Sequence, residues 1–175
     1  MKHILFLMVC FGILFSSESY FDTQKSYKRG VAPATDATYI NECGACHFAY
    51  QPGLLPANAW EKIMGNLENH FKTDATLEGN DFIAISEYLK QNSAEKNMDY
   101  KLSKRIVNSL RNQPVATAIS QTPYIIEKHD EIPQNLITQK DVRGIFNCTA
   151  CHKTANKGIY SERDILIPNY GKWDD

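Results

Sequence analysis

Two five-residue stretches carry the chemistry of this chain: Cys43-Gly44-Ala45-Cys46-His47 and Cys148-Thr149-Ala150-Cys151-His152. Both read C-x-x-C-H, the spacing at which two thiols add to the two vinyl groups of one porphyrin. The histidine that follows supplies a nitrogen to the iron. Small residues between the cysteines leave room for the macrocycle edge. With five cysteines and five histidines in 175 residues, chance supplies about 0.004 such motifs, so two are not coincidence. The competing readings of these cysteines are a thioredoxin-like pair, a Cys/His zinc site and two disulfides. None explains why both pairs end in histidine. The spacing predicts two covalently bound haem c groups, attached through Cys43, Cys46, Cys148 and Cys151, with His47 and His152 as proximal iron ligands.

Six-coordinate irons need two more ligands, and the candidates are His70, His129, Met64 and Met98. At 100° per residue, Trp60, Ile63, Met64, Leu67, His70 and Phe71 share one face of a helix predicted over 60–71, with His70 at the edge of the apolar stripe. A hydrogen-bonded core histidine is the bland alternative there, and Met64 is the rival ligand. His129 follows Thr122-Pro123, a helix-start signature, and shares a face with Ile125 and Ile126. Its bland alternative is a solvated histidine beside Asp130 and Glu131. Sequence proximity pairs His70 with the first haem and His129 with the second; spacing also allows a crossed pairing.

The N-terminus reads as an export signal. Lys2 and His3 form a polar head, Ile4 to Phe15 is an apolar run, and Ser16, Ser17 and Ser19 suit cleavage near Ser19. Twelve residues reach about 18 Å as a helix, short of the roughly 30 Å hydrocarbon core, so an anchor is disfavoured. Cys10 sits inside the apolar run behind Val9, which argues against lipid attachment. Removing residues 1–19 leaves four cysteines and four histidines, a periplasmic location, and a mature chain without a transmembrane span.

A helix over 36–46 should deliver the first motif. Gln51-Pro-Gly-Leu-Leu-Pro56 should be a non-helical loop. Helices follow over 80–91 and 99–112, then short ones over 123–131 and 138–148 around the second motif. Ser161-Glu-Arg-Asp164 resembles a capping box opening a last helix that Pro168 stops. No alternating strand pattern of useful length appears. The fold class expected is mostly α with long loops: an irregular arm over 20–33, a first haem domain over 34–97 and a second over 98–175. Such halves bury little side-chain core, so the porphyrins must supply much of the interior and the haem-free chain should fold poorly. A net charge of −1, with 43% apolar and 22% charged residues, excludes a disordered tail and gives no electrostatic case for nucleic acid.

These residues resemble the bacterial dihaem cytochrome c family. The similarity runs through Glu42–His47, Pro52-Gly-Leu-Leu-Pro-Ala57, Trp60, Ile63-Met64, Leu67 and His70-Phe71, then Pro123-Tyr124, His129–Pro133, Asn147–His152, Ala155 and Lys157-Gly158. It implies two small cytochrome c-like haem domains with bis-histidine irons held by His47, His70, His129 and His152. It further implies electron transfer with redox partner proteins, such as an oxygen-binding monohaem cytochrome or a membrane b-type cytochrome. The chain departs from the pattern at Gln51, where proline is expected, and at Lys72, where glycine is usual. Two imidazoles close the iron to substrate and lack the thioether that raises the potential, so low potentials and no catalysis at the metal are expected. Two rivals stand beside this carrier. A peroxidase-like haem enzyme would need one open iron, with His70 or His129 as an acid–base residue. A redox subunit of a membrane cytochrome complex would use Lys101, Lys104, Arg105 and Arg111 to dock an acidic partner, where a solvated helix face is the plainer reading.

Overall fold

The computed structural model describes residues 27–173, so the export signal and residues 20–26 of the expected arm lie outside the described residues. Helix α1 (Ala37–Gly44) begins where Asp36 accepts a hydrogen bond from the Tyr39 amide at 2.8 Å, satisfying one of the free N–H groups of the first turn. It runs directly into the first C-x-x-C-H motif. Helices α2 (Ala57–Met64) and α3 (Gly79–Gln91) complete a three-helix layer. Tyr39, Leu55, Ala59, Trp60, Met64, Ile85 and Leu89 form its buried core. The indole N–H of Trp60 donates to the Pro52 carbonyl at 2.8 Å, so the aromatic ring is buried without stranding its polar atom.

The Gln51–Pro56 segment is an inward-facing plug with a 3-10 turn at Pro52–Leu54, and Gln51 through Leu55 are all buried. Its backbone polar groups find partners inside the protein: the Gly53 carbonyl accepts from the Ser103 hydroxyl at 2.9 Å and Leu55 from the Ala94 amide at 2.9 Å.

Helix α4 (Lys101–Ser109) lies between the two halves of the chain. Its Leu102 and Ile106 join Val31 and Leu54 in a second core, against which Tyr50, Tyr124 and Tyr160 pack. Residues 28–31 dock here through hydrogen bonds from Lys28 to Asp99 and from Val31 to Gly158, both backbone to backbone at 2.8 and 2.9 Å. Gly30 and Gly158, at φ +67° and +72°, make this approach possible: a Cβ on Gly30 would sit 1.9 Å from the Gly158 oxygen.

Beyond α4 the elements are short. Helices α5 (Pro123–Glu127), α6 (Gln134–Thr138) and α7 (Cys148–Cys151) are joined by turns. Val142, Ala155 and Ile167 are the buried apolar residues of this half among those described.

Three expectations are corrected. The helix over 60–71 stops at Met64, because Gly65 caps it and Asn66 leaves helical geometry at φ −140°. A 3-10 turn over Leu67–Asn69 then carries the chain to His70. The helix expected over 138–148 is absent: Gln139 turns extended at ψ 157°, and Arg143 and Gly144 have positive φ, which breaks any helical run. The capping-box segment makes only a 3-10 turn at Glu162–Asp164. It leads into an antiparallel pair, β1 (Leu166–Ile167) with β2 (Gly171–Lys172), the one sheet among the described residues.

Candidate haem centres

The end of α1 presents Cys43 to a cavity, and the turn that follows brings Cys46 and His47 to it. Nδ1 of His47 lies 2.8 Å from the Phe48 carbonyl. A carbonyl only accepts, so Nδ1 carries the proton and Nε2 is left with the lone pair that a metal needs. The ring of His70 faces His47 with centroids 6.2 Å apart and planes 25° from parallel. His70 reaches this position through a tight turn. Its carbonyl accepts from the Thr73 amide at 3.0 Å, and the two central residues, Phe71 and Lys72, have φ of +51° and +71°. These are the dihedral signs of a type I′ turn, made here without glycine.

The second motif forms α7, with His152 following it in a bridge to Ile165. Asn147, just before Cys148, donates to the Val142 carbonyl at 3.1 Å and accepts from Thr149 at 3.2 Å, fixing the approach of the motif. His129 sits one turn past Ile125, whose carbonyl takes its Nδ1 proton at 2.7 Å. The rings of His129 and His152 are 6.1 Å apart at 74°, close to perpendicular. Nδ1 of His152 is buried with no hydrogen-bond partner.

The ring separations test whether the residues suit the expected group. Two metal–nitrogen bonds of about 2 Å, plus about 1.1 Å from each nitrogen to its ring centre, require roughly 6 Å between centroids. Both pairs meet that requirement. No group of three or more His, Cys, Asp or Glu could enclose a metal among the described residues. The pairs therefore suit the two axial positions of an iron whose other four ligands come from a porphyrin, and not a zinc site with four protein ligands.

Both pairs and all four cysteines line one continuous cavity of about 1320 Å³. That exceeds the roughly 300–1,000 Å³ of an ordinary small-molecule site. Its walls combine apolar side chains such as Leu67, Leu77 and Ile125 with charged groups of both signs, among them Arg29, Arg105, Glu42 and Asp74, so it is the apolar part of the lining that fits a flat apolar ring. Met64 is buried in the first core and also lines the cavity, but it is His70 that opposes His47.

The electrostatics agree with the geometry. Burial, with His129 nearby, pushes the His152 imidazole down to about 4, and burial with His47 nearby also lowers His70. Both rings are thus held neutral, the form that ligates. Burial pushes the Cys43 and Cys148 thiols up to about 11 and raises Cys151. Raised thiols are poor disulfide-exchange nucleophiles, and all four cysteines are free.

Sequence reasoning missed the residues between the two centres. The Tyr50 ring packs on His47 at 5.1 Å while its hydroxyl donates to the Phe146 carbonyl, beside the second motif. Gln51 and Tyr160 make a similar link. Their partners lie about a hundred positions away in the chain, beyond any local pattern.

Comparison with known proteins places the chain among dihaem cytochromes c. The profile of the family described as dihaem cytochrome c matches residues 39–160. A dihaem c-type cytochrome from Shewanella baltica is 36% identical, with a TM-score of 0.64 over 79% of this chain and 97% of its own. A dihaem cytochrome c from Rhodobacter sphaeroides is 34% identical, with a TM-score of 0.65 over 74% of this chain and 100% of its own. Curated proteins gave no match.

Proposed function

The chain belongs to the dihaem cytochrome c family, and from that premise we propose a periplasmic electron carrier whose two irons are both bis-histidine ligated. Family membership brings two covalently bound haem c groups and a role in electron transfer between redox partners. The finer reading assigns Cys43 and Cys46 to one haem and Cys148 and Cys151 to the other, carried by units over 34–97 and 98–175 behind an arm over 20–33. His47 with His70, and His152 with His129, hold the two irons. The observation that carries it is the opposition of the two histidine pairs at 6.2 and 6.1 Å.

Bound haem supplies one-electron exchange between ferric and ferrous iron. The protein's part is to fix ligands and exclude water. The Phe48 and Ile125 carbonyls hold the protons of His47 and His129 on Nδ1, orienting each ring and raising its basicity. With haem bound, His47 with His70 and His152 with His129 would hold each iron from two sides, which would leave no place for a substrate and favour electron transfer over catalysis. This reading makes the protein a carrier and not an enzyme. Its partners are proposed as an oxygen-binding monohaem cytochrome or a membrane b-type cytochrome. Among the described residues no helix is long and apolar enough to cross a membrane.

Low-temperature electron paramagnetic resonance of the oxidised protein tests the reading. The angle between two ligand planes sets the splitting of the iron d-orbitals, so angles of 25° and 74° should give two different low-spin signals. A high-spin signal, or carbon monoxide binding to the reduced protein, would instead reveal an open iron.

A further inference from the structure

Gln51 is a 1% exposed amide lying between the two centres. Its Nε2 donates to the Ala155 carbonyl and its Oε1 accepts from the Tyr160 hydroxyl, both at 2.6 Å. Both arms lead to His152. The Ala155 amide donates to the His152 carbonyl at 3.0 Å, and the Tyr160 ring packs against the His152 imidazole with centroids 5.4 Å apart. The backbone on the other side belongs to the first centre. Tyr50, the residue before Gln51, packs on His47, and its carbonyl accepts from the Tyr39 hydroxyl.

His152 is the imidazole that most needs such support. His47 and His129 are each oriented by a carbonyl on Nδ1, whereas Nδ1 of His152 is buried without a partner. A ring with no hydrogen bond to fix its rotation is held by what packs against it. Here that is Tyr160, whose hydroxyl is in turn held by Gln51. We propose that Gln51 is a positioning residue that, through Tyr160, sets the orientation of the His152 ring and thereby tunes the second haem from the first haem's side of the molecule. The proposal rests on the reading of His152 as an iron ligand. The two bonds require an amide: leucine makes neither, and a carboxylate cannot donate to the Ala155 carbonyl.

The test uses the full holoprotein as wild type, Gln51→Leu, Tyr160→Phe and the double variant. Potentiometry and low-temperature electron paramagnetic resonance are recorded on each. The low-spin signal belonging to the near-perpendicular pair should change its anisotropy in Q51L and in Y160F, and one of the two redox waves should move. The other signal and wave should stay fixed. The double variant should shift no further than Q51L alone, because both changes break the same chain of contacts. If Q51L does not accept haem, Y160F carries the test by itself. A lower denaturation midpoint with both signals and both waves unmoved overturns the proposal and leaves Gln51 an ordinary structural bond. A wild-type protein without two low-spin signals refutes the ligand reading instead, a result visible before any variant is compared.

Discussion

Lys72 occupies a left-handed backbone position at φ +71°, next to Phe71 at +51°, in the turn that follows His70. Such positions cost a residue with a side chain about 1–2 kcal/mol, and glycine avoids that cost. Lys72→Gly should therefore raise the stability of the holoprotein by about 1 kcal/mol, read from guanidinium denaturation. The departure from glycine was visible in the sequence, but only the backbone gives its consequence. A second prediction concerns the neutral imidazoles. The folded-state values of His152, about 4, and of His70 lie below the ordinary 6.5. The unfolded chain thus binds more protons below pH 6.5, so stability is fully present above 6.5 and is lost as pH falls toward 4. Iron ligation, which also needs a neutral ring, acts in the same direction. Because ligation holds the ring against protonation, acid titration followed by visible absorption should show low-spin bands that persist from neutral pH and give way only below the value of about 4 for the metal-free ring.

At the scale of elements, α1 sets the aim of the first motif, and its start depends on one carboxylate. Asp36→Ala removes the cap on the Tyr39 amide and should cost about 1 kcal/mol, with the loss confined to α1 in amide exchange. Legibility in the sequence divides at this scale. The C-x-x-C-H motifs were readable because covalent attachment demands residues close together in the chain. The helices α1, α3 and α4 were readable to within a few residues because their apolar faces repeat at 3.6. His70 was singled out on a helical face that does not exist, since the chain leaves the helix at Gly65 and reaches His70 by a turn. Gln51, Tyr50 and Tyr160 were not legible, because buried polar contacts between segments about a hundred residues apart leave no periodic trace.

Across the whole molecule the two halves are unequally built. The first has a side-chain core of its own in Tyr39, Leu55, Ala59, Trp60, Met64, Ile85 and Leu89. The second half buries little beyond Val142, Ala155 and Ile167, and depends on what fills the cavity. In a haem-free chain, amide exchange over residues 111–173 should be fast, while α2 and α3 retain measurable protection. Uniform protection in both halves would show that the second does not depend on its porphyrin.

The docking of residues 28–31 also imposes an order in time. The Val31 amide donates to the Gly158 carbonyl, and only a glycine at position 30 leaves room for that same peptide. A chain emerging from its N-terminus cannot make this closure until residue 158 has appeared, which is after Cys148, Cys151 and His152. Each thiol pair therefore emerges on a chain not yet closed at this point, accessible to whatever adds the porphyrins. This clasp joins an early segment of the chain to a late one.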